Sequence, residues 1–505
     1  MHPPPRFAVL LCLGMVAGCA VGPDYSKPRV ELPEHFSAQT SKARQLGAAN
    51  DDLAAWWNAF NDPILSQLIN RALEQNLDLA QANARIEQAR AGLGAANAAL
   101  LPSATVNGQA ARARQSLETP LGQALNSDPS YNRYGSAYEA NLNAGWELDV
   151  FGGLRRGKEA ASADYQASQA GAIATRLAVV AQTADLYISI RGLQARLEIA
   201  RQQVDTRQQL LTTIEHLYAK GLAAELQLNQ TQGALNQAQA TVPVLQAGID
   251  TAMNALDVML GKAPGTYSAQ LTKLAPIPEA PGLSDMGAPA DLLRRRPDLI
   301  VAERRLAASS ARIGEAMSEY YPKLSVAALL GSATSVSSAN LFSNGASQAS
   351  AALGLRWRLF DFGRINAQID LAKGQEAEAL AAYRQSVLRA CEDVESAVSA
   401  RINREQQSTQ LAQGESAYAK ARATSFAAYE KGVVSLIEVL DADEHLLAAS
   451  DGRAQAQTES ARAAVGTFKA LGGGWQRDDS DARVVSKRAE TRMFFPDPGI
   501  SKELQ

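Results

Sequence analysis

The chain of 505 residues carries a formal net charge of −3, with 20% charged and 46% hydrophobic residues. That balance excludes the electrostatic footprint of a nucleic-acid binder, and three cysteines exclude a disulfide framework. The four histidines, His2, His35, His216 and His445, form no metal-ligand spacing, and no G-x-S-x-G or phosphate-binding glycine loop occurs, so nothing here points to an enzyme or a cofactor.

At the N-terminus Arg6 precedes an apolar run from Phe7 to Ala17. The run is shorter than the roughly 20 residues of a spanning helix, so residues 1–18 read as a signal peptide. Val16-Ala17-Gly18-Cys19 resembles a bacterial lipobox, which implies a covalent lipid at Cys19 and a lipid-anchored segment over 19–60. Ala20 lacks the aspartate that in many lipoproteins causes retention at the inner membrane. Cys391, among Val387, Val394 and Val398 at helical spacings, reads as a small core residue.

The mature chain is written twice. WELDVFGG from Trp146 is echoed by WRLFDFGR from Trp357, and YAKGLAAE from Tyr218 by YEKGVVSL from Tyr429, both at an offset of 211. Asp78-Leu79 and Pro102 recur as Asp298-Leu299 and Pro322 at an offset of 220, so the first copy carries nine more residues, expected as a loop, between its proline and its tryptophan. This is a duplicated unit and not a solenoid. It divides the chain into repeats over 61–270 and 271–475, followed by a polar tail over 476–505.

Each repeat opens with a short helix, at about 64–100 and about 298–320. The cluster Arg294-Arg295-Arg296 before Pro297-Asp298 flanks the second of these and reads as a helix-flanking feature, not a phosphate site. Strand pairs follow at about 103–151 and 324–362. Tyr138, Ala140, Leu142, Ala144, Trp146, Leu148 and Val150 alternate with polar residues across more than the 9 to 11 residues a tilted transmembrane strand needs, and Leu353 to Leu359 repeats the pattern. A soluble sheet with one wet face would alternate in the same way. Export, an apparent lipid anchor and Trp and Tyr near the strand ends favour a membrane barrel. Four strands cannot close one, so the chain must oligomerise, and three copies would supply twelve strands.

Beyond the strands, long proline-free windows rich in Ala, Gln, Glu, Leu and Arg predict helices at about 153–216 and 364–427. Ile173, Leu177, Val180, Ala184 and Tyr187 mark a lengthwise packing stripe on the first. Gly221 and Gly432 reverse the chain into shorter helices at about 224–260 and 435–470.

Trp56-Trp57-Asn58-Ala59-Phe60-Asn61-Asp62-Pro63-Ile64-Leu65, Arg294 to Asp298, and Ala470-Leu471-Gly472-Gly473-Gly474-Trp475 resemble the TolC-like outer-membrane factors, in particular their lipoprotein (NodT/OprM-like) branch, which serves resistance-nodulation-division (RND) efflux pumps. The resemblance covers about Tyr25 to Trp475. It implies a mainly α fold with a β-barrel part: a homotrimeric periplasmic α-barrel continuous with a 12-stranded barrel in outer-membrane lipid. It also implies a passive exit duct for drugs or other small molecules, closed at rest and docked to a periplasmic adaptor protein and an inner-membrane RND transporter. The adaptor-contact tips match Tyr218, Gly221 and Leu222, and Tyr429, Gly432 and Val433. Glu438 and Asp441 match the acidic residues that ring the periplasmic gate. Gln227 stands where an aspartate often lies in relatives, and Val434 and Ala428 stand where others are basic, so this chain departs from those relatives at the residues of their ion-pair locks, and whether its gate is locked by ion pairs stays open. Metal-ion efflux and type I protein secretion remain alternatives on the same fold, and a pore-less periplasmic coiled coil is a third.

Overall fold

The computed structural model describes residues 20–33, 35–36, 53–282 and 289–476. The signal segment, Cys19 and the tail beyond Gln476 lie outside the described residues. In chain order the main elements are α1 (Pro63–Gln75), α2 (Leu77–Ala98), β1 (Ser103–Arg114), β2 (Tyr134–Leu148), α3 (Gly153–Ala219), α4 (Glu225–Met259), α5 (Pro297–Ser318), β3 (Lys323–Thr334), β4 (Ser347–Arg356), α6 (Arg364–Glu430) and α7 (Leu436–Ala470).

Four pairs of elements recur with equal length, whereas β2 has 15 residues and β4 has 10. Helices α3 and α6 both have 67 residues, roughly 100 Å at 1.5 Å per residue. Helices α4 and α7 both have 35 residues, α2 and α5 both 22, and β1 and β3 both 12. Three details differ from the sequence reading. The expected helix at 64–100 is two helices, because Asn76 is extended (φ −67°, ψ 131°) and its side chain caps the next helix, accepting from Asp78 N at 2.8 Å and Leu79 N at 3.1 Å. The stretch between β1 and β2 is not all loop, since Pro120–Leu125 forms a helical turn capped by Thr119. The strands end at Leu148 and Arg356, short of the 151 and 362 expected.

The described chain falls into two compact units, each drawing on both repeats. The first takes the segment up to Val30, Ala84–Ala170 and Ile300–Ser386. Its sheet runs β1-β2-β3-β4, antiparallel throughout. The register aligns Val106, Leu142 and Leu330 across three strands, and Trp146, Val326 and Leu353 across another three. Because side chains alternate along a strand, these residues share one face with Ala144, Ala328 and Leu355. Thr105, Asn107, Asn143, Ser325, Ser350 and Arg356 occupy the other. The apolar face is bare: Val106, Leu142, Leu330, Leu353 and Leu355 are all exposed. Trp146 and Trp357 stand at equivalent positions, their indole N–H groups donating to Leu100 O and Tyr320 O, both at 3.0 Å.

The segment that follows the proposed lipidation site is seated on this unit. Val21 N donates to Phe151 O (3.1 Å), and the buried Arg156 donates to Val21 O, Gly22 O and Asp24. Gly152 has φ +80°, and a Cβ there would stand 2.8 Å from Ala20 Cα, so only glycine fits. Tyr25 OH donates to Glu303 at 2.5 Å, and Arg304 pairs with the same carboxylate.

In the second unit (Glu31–Asn83, Gly171–Leu299 and Val387 onward) the core is built by α3. Most of the predicted stripe is there: Val180, Ala184 and Tyr187 are buried in one cluster with Trp56, Phe60, Leu65, Ile69, Leu256 and Phe468, Leu177 is buried outside that cluster, and Ile173 is half-buried. Cys391 is half-buried beside the fully buried Val387, Val394 and Val398, and burial pushes its thiol pKa up. The motifs that carry the resemblance have mechanical work here. Asn61 adopts φ +52°, Asp62 caps α1 through Ile64 N and Leu65 N, and Pro63 occupies the first turn. The second oxygen of Asp62 accepts from Tyr187 OH at 2.7 Å, and burial first of all pushes that phenol up to about 12. Arg296 pairs with Asp298 (2.7 Å) and Asp393 (2.9 Å) and donates to Ala470 O at the C-terminus of α7, where a cation suits the helix dipole. Trp475 donates to Arg295 O (3.1 Å), so the arginine cluster and the glycine-tryptophan motif hold one another. Gly92 and Gly94 in α2 have open space where a Cβ would stand, so close helix packing within the chain does not explain them.

Candidate functional site

The helical hairpin tips are built twice on one plan. Gly221 (φ +73°) closes α3 with Gly221 N to Tyr218 O and Leu222 N to Leu217 O, both 2.8 Å. Gly432 (φ +75°) closes α6 with Gly432 N to Tyr429 O (2.8 Å) and Val433 N to Ala428 O (2.9 Å). This pair of bonds is the Schellman motif, whose left-handed residue is best served by glycine. Tyr218 is exposed, whereas Tyr429 packs into an apolar cluster. That cluster of Leu210, Ile214, Leu436 and Val439 joins the two hairpins, so the structure brings both tips together.

Leu222 is 72% exposed and Val433 75%. The sequence reading missed the apolar residues just beyond them, Leu226 at 62% and Ile437 at 58%. These occupy equivalent positions (226 + 211 = 437), so the repeat itself carried the signal. Each tip therefore offers water a pair of unpartnered aliphatic side chains.

Glu438 and Asp441 are both exposed in the first turns of α7. Glu438 is the copy of Gln227 at the third helical position. In α4 the Gln227 side chain accepts from Ala224 N at 3.0 Å, which closes the helix start and accounts for a glutamine there. Glu438 makes no such bond among the described residues; its charge lies in a first turn, where the helix dipole favours an anion. Asp441 approaches His445 Nε2 at 3.6 Å, and His445 stacks on Tyr418 with centroids 5.3 Å apart. Behind this surface lies a pair that the sequence reading did not single out. Arg422 donates to the buried Asp443 at 2.8 Å and lies over the Phe426 ring at 5.0 Å. Asp443 lies two residues beyond Asp441, a small step in sequence that turns one carboxylate inward and leaves the other in water. Cys19 lies outside the described residues, and its neighbour Ala20 rests against Gly152. Among the described residues no group of three or more His, Cys, Asp or Glu is arranged to hold a metal.

An amphipathic sheet with a bare apolar face, together with 67-residue helices that end in bare glycine hairpins, makes up the parts of an outer-membrane channel with a helical extension. The comparisons agree. The family model described as "Outer membrane efflux protein" matches residues 68–262 and 288–473, and the chain belongs to that family. It is 33% identical to the pyoverdine export outer membrane protein OpmQ of Pseudomonas putida, covering 94% of this chain and 98% of that protein. It is 31% identical to the solvent efflux pump outer membrane protein SrpC of Pseudomonas putida, over 93% of this chain and 98% of that one. Among solved structures, the outer-membrane channel OprN superposes with a TM-score of 0.82 at 31% identity, covering 90% of this chain and all of OprN. The chain is thus an efflux component of the outer membrane with the fold of these channels, and the pore-less coiled coil is set aside.

Proposed function

We propose that three copies of this chain form a passive duct, without catalysis, through which an RND-type transporter and a periplasmic adaptor expel drugs or other small organic molecules. The observation that carries this reading is the bare apolar face of the sheet, whose outer strands β1 and β4 each leave one edge unpaired. In lipid every backbone N–H and C=O must be paired, so such a sheet is stable only within a closed barrel. Four strands are half the smallest known single-chain barrel, and three copies supply twelve.

The remaining roles belong to the same proposal. Cys19 carries the lipid. Tyr218, Gly221 and Leu222 with Tyr429, Gly432 and Val433, joined by Leu226 and Ile437, form the surface that receives the adaptor. Glu438 and Asp441 face a constriction on the threefold axis, and the boundaries 61–270 and 271–475 mark the two ancestral units. The exposed aliphatic pairs at each tip support the docking role, because exposed apolar groups on a narrow turn suit a partner helix. The test is dye accumulation in cells lacking the chromosomal copy. Re-expression should lower accumulation only when the cognate adaptor and pump are present; equal accumulation with and without the chain would overturn the proposal.

A further inference from the structure

The apolar face of the sheet has a different border at each end. Where the strands join the helices stand Trp146 and Trp357, and basic residues there are neutralised: Arg358 pairs with Glu319 at 2.9 Å, and Lys323 pairs with the same carboxylate. At the far end, β1 sets Arg112 opposite Ser136 and Arg114 opposite Tyr134. Alternation along the strand puts both arginines on the face of Val106 and Leu142. Both are exposed, and neither pairs with a carboxylate among the described residues, although Glu118 and Asp128 lie in the connection to β2. Only Tyr134 answers Arg114, with its ring centroid 5.7 Å from the guanidinium carbon.

The spacing of the two borders is that of a membrane. Ser136 and Trp146 are ten residues apart (146 − 136), which is about 34 Å along a strand and about 26 Å in depth at a tilt of about 40°. A membrane barrel carries an apolar band of roughly that height. The guanidinium groups therefore stand in the headgroup layer, where a cation on the lipid face costs little. Ala20, next to the proposed lipidation site, rests against Gly152 at the helical end, so the anchor lipid and the arginines belong to opposite leaflets. Nor does the duplication dictate the cluster. The positions equivalent to Arg112 and Arg114 are Ser332 and Thr334 (plus 220), and those equivalent to Tyr134 and Tyr138 are Gly345 and Ala349 (plus 211).

We propose that Arg112, Arg114 and Tyr134 form a binding site for the phosphorylated glycolipid of the outer leaflet, lipopolysaccharide. The guanidinium groups bond a phosphate of its headgroup, and its acyl chains lie on Val106 and Leu142. This rests on the sheet crossing the outer membrane and is independent of cargo, pump and copy number. A guanidinium presents paired N–H donors that match phosphate oxygens, and side chains two residues apart on one face stand about 7 Å from one another, close enough to address one headgroup. The Tyr134 ring gives the Arg114 fork a face to lie on.

The experiment is native mass spectrometry of the full-length protein in detergent, titrated with diphosphoryl lipid A. The Arg112→Gln/Arg114→Gln variant should bind about tenfold more weakly than the wild type, and Arg112→Lys/Arg114→Lys should recover part of that loss, because it keeps the charge and lacks the fork. Lipid A stripped of phosphate should bind both proteins equally. Arg356→Gln, on the opposite face of the sheet, should match the wild type. Equal affinity of the wild type and the glutamine variant for diphosphoryl lipid A would overturn the site. Phosphatidylglycerol competing as well as lipid A would overturn its assignment to the outer-leaflet glycolipid. The orientation is read separately: in a Cys391→Ser background, Glu118→Cys should react with a membrane-impermeant maleimide on intact cells. Reaction only after the outer membrane is permeabilised would overturn the placement of this end of the sheet, whatever the lipid binding.

Discussion

Gly221 and Gly432 hold left-handed backbone, and nothing lies within 4 Å of where a Cβ would stand, so any cost of substitution comes from the backbone alone. For an L-residue that cost is about 1–2 kcal/mol, least for Asn and most for a β-branched residue. Gly432→Val should therefore lower efflux several-fold while the protein still reaches the outer membrane, and Gly432→Asn should retain most of it. Drug susceptibility at matched protein levels checks this; unchanged susceptibility for the valine variant would refute docking at this tip. At Glu438 and Asp441 the bland alternative is a wet helix face, since both are exposed in the single chain. If three copies bring them together, each ring places three carboxylates around the pore and attracts cations. Replacing both with Ala should reduce cation selectivity and divalent block in planar bilayers. Wild-type selectivity in that double variant would assign them to solvent. His445 beside Asp441 was not foreseen as a neighbour of this site, because an i, i+4 contact gains meaning only once the exposed face is known.

At the scale of elements, the half-buried Arg296 ties the start of α5 to the end of α7. Its partner carboxylates are half exposed, so the contribution is that of charged hydrogen bonds, about 2 kcal/mol. Arg296→Met should lower the unfolding midpoint of detergent-extracted protein, and an unchanged midpoint would count against this tie. Glu303 anchors the N-terminal segment through Tyr25. Burial opposes its charge, but the hydrogen bonds from Arg304 and Tyr25 outweigh it and hold the carboxyl below its ordinary range. A depressed folded-state pKa contributes stability that is complete above the unfolded value of about 4.3 and is lost as pH falls through the folded one. Acid should thus loosen this segment, and Glu303→Gln should remove that part of the pH dependence, read by limited proteolysis near Tyr25 between pH 3 and about pH 7. Periodicity made the helices and strands legible, and the 211 offset located both tips. Asn76 was not legible, because a capping asparagine inside an otherwise helical run breaks no hydrophobic pattern. The meeting of Arg296 with Ala470 was not legible either, since a contact across 174 residues leaves no local trace.

For the whole molecule, sequence alternation proposed a membrane sheet but left open which strands adjoin and which face is bare. The register answers both: one apolar face spans all four strands, and the two outer edges belong to different repeats. In the single chain the outer strand edges are unpaired, the surface of α2 is largely exposed and the ring of Phe362 is bare. In the proposed trimer each of these would meet another copy of the same chain. Native mass spectrometry of the protein extracted from outer membranes tests this most directly. Three copies in one particle is the predicted result, and a stable monomer that stays soluble without detergent would contradict the account.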